Sequence, residues 1–263
     1  MDDNVTIYIS TKWHGIRAIL FDLGGTLLRN SITAEEERCI WEQVYTGLVI
    51  PETVKWGIHP VPSLERFYEV IVEQVGRVIA RNGQNRSERE LEYLPLFALA
   101  FETAGLPLLA EQELLRPVVG MELELRFTQL FAPGLPTVKT LMKLRERGYR
   151  LGLVSNLCCL AELVYANLQR FGVLVHFDQA VFSCEIGWRK PSPRIFEAIC
   201  TKMNIAPNEC LFVGDRLIED VYASQKLGMG AILTHEFRQE TPDGTVQPDG
   251  IIHRLDQLLD ILP

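Results

Sequence analysis

The stretch IRAILFDLGGTLL at residues 16–28 contains the strongest fold signal in the chain. It begins with an apolar run that only Arg17 interrupts, and the run stops at Asp22 just before two glycines. A short and nearly continuous apolar run of this kind is typical of a strand that is buried on both faces of a parallel sheet. The sequence therefore predicts the first strand at residues 16–21, with Asp22 at its carboxyl end.

Similar apolar runs return after residue 131, with helical segments between them. Strands are predicted at residues 151–154, 180–183, 210–213 and 231–234. Helices are predicted from Pro136 to Gly148, before Gly172, over 193–203, before Gly228 and over 255–262. Strands that alternate with helices predict an α/β fold, with a Rossmann-like parallel sheet and helices on both of its faces. We interpret residues 16–30 and 131–263 as one α/β core domain.

Residues 31–130 have a different character and are interpreted as a helical cap inserted after the first strand. Two capping-box patterns, which begin helices, occur at residues 33–36 and 87–90. Apolar residues recur three and four positions apart and predict one buried helix face: Phe67, Val70, Ile71, Val75, Val78 and Ile79. Pro95 and Pro117 are expected to break or kink the later helices of this region.

Composition and charge exclude several classes of function. The length of 263 residues suits one large domain or a core domain with a smaller companion, and 47% hydrophobic and 23% charged residues are ordinary for a globular protein. Its net charge of −8 disfavours nucleic acid and anionic membranes as partners, and no apolar run approaches the ~18 residues of a membrane span. No secretory signal is visible and the six cysteines form no CxxC pair, so we expect reduced, mostly buried thiols and a cytoplasmic protein. The sequence does not predict an oligomeric state.

Polar residues follow four of the predicted strands, at the edge where parallel sheets bind their ligands. They are Asp22 with the Gly24-Gly25 turn, Ser155-Asn156, Lys190, and Asp215 with Asp220. Each of these residues is common in turns or helix caps when taken alone. A site is indicated because they follow four predicted strands in order along the chain. Carboxylate oxygens suit Mg²⁺, a lysine supplies a fixed positive charge, and a hydroxyl with free main-chain amides binds phosphate oxygens. Together they predict a phosphoryl-transfer site.

These segments resemble the four motifs of the haloacid dehalogenase superfamily, in the phosphoglycolate-phosphatase-like branch that carries a helical C1 cap. The matching stretches are FDLGGTL at 21–27, LVSN at 153–156, GWRKPSPRIF at 187–196 and FVGDRLIEDV at 212–221. The resemblance implies a Mg²⁺-dependent phosphatase that acts on a small phosphorylated metabolite through an aspartyl-phosphate.

The resemblance also implies roles for single residues. Asp22 is implied to be the nucleophile, and Lys190 the catalytic cation that balances charge on the nucleophile and the phosphate. The implied phosphate-binding residues are Ser155, Asn156, Lys190, Leu23, Gly24 and Gly25. The implied Mg²⁺ ligands are Asp22, the carbonyl of Gly24, Asp215 and Asp220, of which Asp220 either binds the metal or orders its waters and Lys190.

Gly24 departs from the family pattern, because this position normally holds a second aspartate. That aspartate protonates the leaving group and then activates the hydrolytic water, and such help is typically worth ~10²–10⁴-fold. Three explanations stay open. The leaving group needs no proton, as in an acyl or aryl phosphate; or a cap residue supplies the acid, with Glu35, Glu36 and His59 as candidates; or turnover is lost and ligand binding is kept.

Two other functions are compatible with this departure. A metal-independent dehalogenase would use Asp22 to attack carbon and would need no second aspartate, because halide leaves without a proton. Asp215 and Asp220 argue instead for a metal site. A catalytically impaired binding or regulatory protein is the second alternative, and the presence of the other charged residues argues against it.

Overall fold

Six parallel strands form one sheet in the protein, whose computed structural model describes residues 13–29, 31–106, 114–131, 133, 135–242 and 244–263. In chain order the strands are β1 (Ala18–Phe21), β2 (Arg150–Ser155), β3 (Gln179–Phe182), β4 (Cys210–Gly214), β5 (Gly230–Thr234) and β6 (Gly250–Ile252). Their order across the sheet is β3-β2-β1-β4-β5-β6, and every neighbouring pair is parallel. The first predicted strand is therefore a central strand, as its apolar run indicates.

A helical region separates β1 from the rest of the sheet. Its helices are α1 (Ala34–Val44), α2 (Ile50–Lys55), α3 (Leu64–Phe67), α4 (Val75–Gln84), α5 (Tyr93–Thr103) and α6 (Arg116–Gln129). A π-helical turn at Tyr45–Val49 joins α1 to α2, and another at Tyr68–Gln74 joins α3 to α4. Within residues 31–106 and 114–130 the structure contains helices and connections but no strand.

Local sequence signals account for two of these helices. At the start of α1 the Thr33 hydroxyl accepts a hydrogen bond from the Glu36 N–H, and the Glu36 carboxylate accepts one from the Thr33 N–H at 2.7 Å. The predicted apolar face between α3 and α4 is also largely present. Its residues Phe67, Val70, Ile71 and Val75 are buried, Ile79 is half-buried and Val78 is exposed.

Three local predictions in this region are wrong. Ser87 does not begin a helix, because its hydroxyl bonds to the main chain of Arg89 and α5 begins only after this segment. Arg89 instead forms an antiparallel β-bridge with Trp188, so a long-range pairing replaces the expected helical turn. Pro95 and Pro117 do not interrupt helices; each lies in the first turn of one, where its missing N–H costs no hydrogen bond.

Helices cover both faces of the sheet, as predicted. They are α7 (Leu135–Glu146), α8 (Ala161–Arg170), α9 (Ser183–Ile186), α10 (Pro193–Met203), α11 (Ala223–Gln225) and α12 (Leu258–Ile261). Alternate residues of a strand point to opposite faces, and β1 accordingly contributes Ile19 and Phe21 to one apolar cluster and Ala18 and Leu20 to another. The first cluster includes α7, α8 and α12, and the second includes α10. The expected α/β fold is confirmed.

The helical region shares the larger apolar cluster with the sheet. Phe127 of α6 packs against Phe171, which directly follows α8, with ring centroids 6.4 Å apart. The helical region is therefore packed onto the core by apolar contact as well as by its two chain connections.

Some predictions concern a short strand, the cysteines and residues outside the described part of the chain. β6 was not predicted, because three residues with an exposed Ile251 carry no recognisable strand pattern. All six cysteines are free thiols; three are buried, two are half-buried and Cys39 is exposed, so fewer are buried than expected. Asn30 and Gly134, near the predicted domain borders, lie outside the described residues, as do residues 1–12. Among the residues that are described, no helix is long and apolar enough to cross a membrane.

Candidate active site

The ends of three neighbouring strands bring the predicted site residues together. β1 lies between β2 and β4, and Phe21 is in register with both Leu153 and Val213. Asp22, which follows β1, donates its main-chain N–H to the Val213 carbonyl at 3.0 Å. Because the three strands are parallel, Asp22, the end of β2 and the end of β4 meet at the same edge of the sheet.

The Lys190 ammonium lies between two carboxylates at this edge. It donates to Asp22 Oδ1 at 2.6 Å and to Asp220 Oδ1 at 2.6 Å. Ser155 Oγ, at the end of β2, donates to the same Asp22 oxygen at 3.2 Å, and the Thr26 hydroxyl approaches the other oxygen at 3.5 Å. All five side chains are buried, so this network is held in a place that bulk water barely reaches.

Asn156 holds the main chain of Lys190. Its side-chain Oδ1 accepts from the Lys190 N–H at 2.7 Å, and its Nδ2 donates to the Lys190 carbonyl at 3.0 Å. One N–H of this amide and one lone pair of its oxygen are thus used within the protein, and Asn156 also lines the cavity described below. Phosphate binding by Asn156 stays a prediction.

The residues just before Lys190 are bonded to the helical region. The Arg189 N–H donates to the Glu88 carbonyl at 2.9 Å, and the Glu90 N–H donates to the Gly187 carbonyl at 3.2 Å. The Glu90 side chain is only 2% exposed; it accepts from Ser183 Oγ at 2.5 Å and from Arg189 Nη1 at 3.4 Å. The segment 88–90 therefore fixes the loop that presents Lys190.

Asp215 and Asp220 follow β4 and have different surroundings. Asp220 Oδ2 accepts from the Arg216 N–H at 2.9 Å, in addition to the Lys190 contact of its other oxygen. Asp215 Oδ2 is buried and has no hydrogen-bond partner among the described residues; Arg238 Nε lies 3.9 Å away. Oxygens of Asp22, Asp215 and Asp220 lie within 4.8 Å of one another.

Two glycines leave room for these carboxylates. Gly25 has φ +89°, and a Cβ there would lie 2.7 Å from Asp215 Cγ. A Cβ on Gly214 would lie 2.5 Å from Asp220 Cβ. Both distances are far shorter than a carbon–carbon contact allows. The glycines are needed because the acidic side chains occupy the space beside them.

Burial and mutual repulsion determine the ionisation of the cluster. Burial raises the pKa of Asp22, and the Lys190 charge partly offsets the rise. Burial and the charges of Asp22 and Asp220 raise the pKa of Asp215 to about 8. Burial alone would lower the pKa of Lys190, but the two carboxylates outweigh it and raise that pKa, so Lys190 stays protonated at neutral pH. Three buried carboxylates thus share one ammonium, and the cluster can accommodate further positive charge.

A cavity of about 620 Å³ opens over this cluster, between the strand ends and the helical region. Predicted site residues that line it are Asp22, Gly24, Ser155, Asn156, Lys190, Asp215 and Asp220. Residues of the helical region that line it are Ile79, Ala80, Gly83, Gln84 and Arg86. The remaining lining residues are Arg189, Arg216, Ile218, Glu219 and Arg238.

Two predicted phosphate-binding residues do not line the cavity. Gly25 donates its N–H to the Leu28 carbonyl at 2.7 Å, so this amide is not free for phosphate as the sequence suggested. The hydrogen bond of the Gly25 amide closes the tight turn after Asp22 instead. The Leu23 side chain is buried in the core, while its main-chain N–H bonds to the Asp22 carboxylate and lowers the pKa of that group.

Comparison with protein families assigns the chain to one of them. The family model described as haloacid dehalogenase-like hydrolase matches residues 16–228. The chain belongs to this hydrolase family. The expected superfamily is confirmed, and the match includes all four of the quoted motifs.

Relatives of this hydrolase include proteins named as phosphatases. Glyceraldehyde 3-phosphate phosphatase of Methanopyrus kandleri is 30% identical over 250 residues, which are 94% of this chain and 97% of that protein. Phosphoglycolate phosphatase of Vibrio vulnificus is 32% identical over 129 residues, which are 48% of this chain and 55% of that protein.

Solved structures of the family share the fold. A 2-haloacid dehalogenase from Pseudomonas syringae pv. tomato superposes with a TM-score of 0.69 at 22% identity, over 94% of this chain and 97% of that one. The HAD-hydrolase YfnB from Bacillus subtilis, solved with bound magnesium, gives a TM-score of 0.60 at 18% identity, over 94% and 98%. Because phosphatases and dehalogenases share this architecture, the fold alone does not separate the two reactions.

The structure does not bring the suggested replacement acids to the hydrolase site. Glu36 is engaged by the Thr33 N–H and by Arg29, and neither Glu35, Glu36 nor His59 lines the cavity. The acid that does line it, besides the three aspartates, is Glu219. Sequence reasoning missed Glu219, although its place directly before Asp220 was a signal.

Sequence reasoning also missed the arginines that surround the cavity. Arg189 and Arg216 adjoin Lys190 and Asp215 in the chain, and that adjacency was a usable signal. Arg86 and Arg238 lie far from any motif, so nothing in the sequence connects them with the site. Trp188, two residues before Lys190, does not line the cavity; it packs against the guanidinium groups of Arg89 and Arg194, which lie 3.7 and 3.8 Å from its ring centroid.

Proposed function

We propose that this hydrolase is a Mg²⁺-dependent phosphatase that transfers the phosphoryl group of a small metabolite to Asp22 and then to water. The observation that carries the proposal is the environment of the Asp22 carboxylate. It lies at the end of a central strand, bonded to Lys190 and Ser155, and faces a cavity of about 620 Å³. The relative that matches nearly the whole chain is named as a phosphatase, which supports the same reaction.

The chain's own residues can position and activate this nucleophile. Lys190 stays protonated and favours the ionised form of Asp22. A carboxylate oxygen of Asp22 attacks phosphorus, the bond to the leaving oxygen breaks, and water then releases the phosphate from Asp22. Ser155, which bonds to Asp22 and lines the cavity, is placed to donate to a phosphoryl oxygen as well.

The acidic cluster fits a magnesium ion. Asp215 Oδ2 is a buried carboxylate oxygen that lacks a hydrogen-bond partner among the described residues, and hard oxygens are the ligands Mg²⁺ prefers. Asp22, Asp215 and the Gly24 carbonyl would hold the ion, with Asp220 binding its waters and Lys190. A bound Mg²⁺ neutralises charge on the transferring phosphoryl group.

Residues 31–130 would act as a cap over a core formed by residues 16–30 and 131–263. The helical region supplies one side of the cavity, and a cap of this kind excludes water and large substrates. We also propose that the reaction takes place in the cytoplasm, because the cysteines are free thiols and thiols stay reduced in that compartment.

Gly24 makes acyl and aryl phosphates the preferred substrates in this proposal. Gly24 lines the cavity beside Asp22 but cannot donate a proton. A leaving group that is already a stabilised anion needs less of the ~10²–10⁴-fold help that a general acid provides.

The test is phosphate release from a panel of alkyl, aryl and acyl phosphates, with Mg²⁺ and with EDTA. We expect Mg²⁺-dependent release that Asp22→Asn abolishes. Asp260→Asn is the matched control, because Asp260 is exposed in the C-terminal helix α12 and the chemical change is identical. No release from any ester, under any condition, would refute the proposal and favour a binding or regulatory protein.

A metal-independent dehalogenase is the second candidate, and the missing acid at Gly24 favours it. The buried Asp215 oxygen, which has no hydrogen-bond partner among the described residues, favours a cation site and therefore argues against the dehalogenase. Halide release from 2-haloacids in EDTA, without phosphate release from the ester panel, would establish the dehalogenase.

A further inference from the structure

Four arginines from four separate segments line the cavity that contains Asp22. Arg86 follows α4 of the helical region, Arg189 precedes Lys190, Arg216 follows β4, and Arg238 follows β5. Lys190 pairs with Asp22 and Asp220 in the phosphoryl site, so these four arginines are additional positive groups in a cavity that is also lined by Asp215 and Glu219.

Two of the four arginines face acids of the cavity without a hydrogen bond to them. Lys190, Ser155 and the Arg216 N–H already donate to oxygens of Asp22 and Asp220. Arg216 is 3.8 Å from Glu219 and Arg238 is 3.9 Å from Asp215, which is too long for hydrogen bonds.

The remaining two arginines differ in how they are held. Arg189 contacts the buried Glu90 at 3.4 Å, outside the cavity lining. Arg86 makes no ion pair or side-chain hydrogen bond with any described residue, and it is exposed at the cavity edge. Arg216 directly follows Asp215 and faces Glu219, so it belongs to the acidic cluster. Arg86 and Arg238 come from segments outside that cluster, and each has a planar fork that matches carboxylate or phosphate oxygens.

The backbone at Arg86 adds a second observation. Its φ of +50° is a left-handed conformation that favours glycine or asparagine, and it costs energy for an arginine. The turn therefore places a long cationic side chain beside the cavity at a position where a smaller residue would fit the backbone better.

We propose that the substrate carries a second anionic group, a carboxylate or a second phosphate, which Arg86 and Arg238 bind. This inference rests on the proposed phosphatase function and narrows its substrate class. The transferred phosphoryl group lies at Asp22 and Lys190. Arg86 approaches the second anion from the helical region, and Arg238, which lies 3.9 Å from Asp215, approaches it from the core. Removal of one ionic hydrogen-bonding partner is expected to weaken binding by about tenfold or more.

The test uses two substrate pairs that differ in the second anion. The carboxylate pair is 3-phosphoglycerate with glycerol 3-phosphate, and the phosphate pair is fructose 1,6-bisphosphate with fructose 1-phosphate. In at least one pair, we expect the kcat/KM of the wild type to be about tenfold higher for the compound that carries the second anion. The pair that shows the preference identifies which second anion is recognised.

Arg86→Gln and Arg238→Gln then distinguish binding of the second anion from a general electrostatic attraction of phosphate. Each is expected to reduce kcat/KM of the preferred member at least about fivefold more than that of its neutral partner. Arg81→Gln is the matched control, because Arg81 is exposed on α4 and does not line the cavity. Equal losses for both members, or no preference in the wild type, would overturn the inference.

Binding measurements keep the inference testable without turnover. Calorimetric titration of Asp22→Asn with the same four compounds should show the same preference, and Arg86→Gln in that background should remove it. If no ester is hydrolysed yet this preference is present, the phosphatase proposal fails and the second-anion site stands. If esters are hydrolysed and no preference is present, the second-anion site fails alone.

Discussion

The two sides of the cavity are built in contrasting ways. We call Asp22, Ser155, Lys190, Asp215 and Asp220 the strand-end wall; each of these residues is at most 6% exposed. Hydrogen bonds of 2.6–3.2 Å connect Asp22, Ser155, Lys190 and Asp220 within it. We call Ile79, Ala80, Gly83, Gln84 and Arg86 the helical wall, in which no residue is fully buried. Gln84 and Arg86 make no side-chain hydrogen bond with a described residue.

The difference separates the wall that carries out the reaction from the wall that selects the substrate. Charged groups in the strand-end wall are fixed before a ligand arrives, and such preorganisation is what stabilises a charged transition state. The helical wall presents donors that have no partner until a ligand supplies one. A change in the first wall should therefore alter folding and rate, whereas a change in the second should alter which substrate is used.

The largest effect is expected from Lys190→Met in the strand-end wall. Asp22 and Asp220 would lose their shared cation in a buried site, so we expect activity to be lost and the free energy of unfolding to fall by about 3–5 kcal/mol. Urea unfolding in EDTA measures the stability. Lys226→Met, at an exposed site, is the control and should stay near the wild type. Unchanged stability of Lys190→Met would mean that the wall does not depend on this charge balance.

Gly24→Asp should supply the general acid that the strand-end wall lacks. We expect hydrolysis of alkyl phosphates to rise by up to ~10²–10⁴-fold, with a smaller gain for aryl phosphates, because alkoxides need the proton more. The measurement is the ratio of alkyl to aryl rates in the wild type and the variant. An ordinary alkyl rate in the wild type would show that another group provides the proton, and Glu219→Gln would then test the acid that lines the cavity.

Gly25→Ala tests the close packing of the same wall. Its methyl group would overlap Asp215, so we expect activity to fall by about 10²-fold, since small displacements of reacting groups have effects of this size. Gly148→Ala is a matched control with the same φ of +89° and no atom within 4 Å of the added carbon. Both variants carry the backbone strain, and only the first disturbs the carboxylate. Equal activities of the two would contradict this account.

Glu90→Gln tests the junction between the walls and should have the smallest effect. Glu90 is a positioning residue that acts through Ser183 and the Lys190 loop, so we expect kcat to fall by about tenfold with less change in KM. Faster hydrogen exchange of the Arg189 N–H, which bonds to the Glu88 carbonyl, would report loosening of that loop. Glu88→Gln keeps that carbonyl and serves as the control. A change in KM alone would assign Glu90 to substrate binding instead.

Much of the fold and of the strand-end wall was predictable from the sequence, because the information is local. The apolar run that ends at Asp22 predicts a buried strand from its own composition. In the same way, α10 begins at Pro193 and ends at Met203, as its sequence predicts. Asp22, Ser155, Lys190, Asp215 and Asp220 each follow or adjoin such an element. Parallel strands necessarily present their carboxyl ends at one edge, so the convergence of these residues follows from topology.

Other features depended on contacts between distant parts of the chain. Ser87 carries a good capping signal, yet its segment pairs with residues around Trp188, and that long-range pairing outweighs one local hydrogen bond. Asn156 is a phosphate-ligand candidate in sequence, and only the structure shows that its side chain also holds the main chain of Lys190. A local pattern cannot show which of several partners a polar side chain finally takes.

The sequence by itself thus determined the α/β core, the helical character of the described residues within 31–130 and the identity of the charged groups at the strand ends. The tertiary structure alone decided that Arg86 and Arg238 border the same cavity and that Glu90 holds the Lys190 loop. The physical reason is that strand burial and helix capping are settled by neighbours in the chain, while the electrostatics of a cavity depend on distances between residues far apart in sequence.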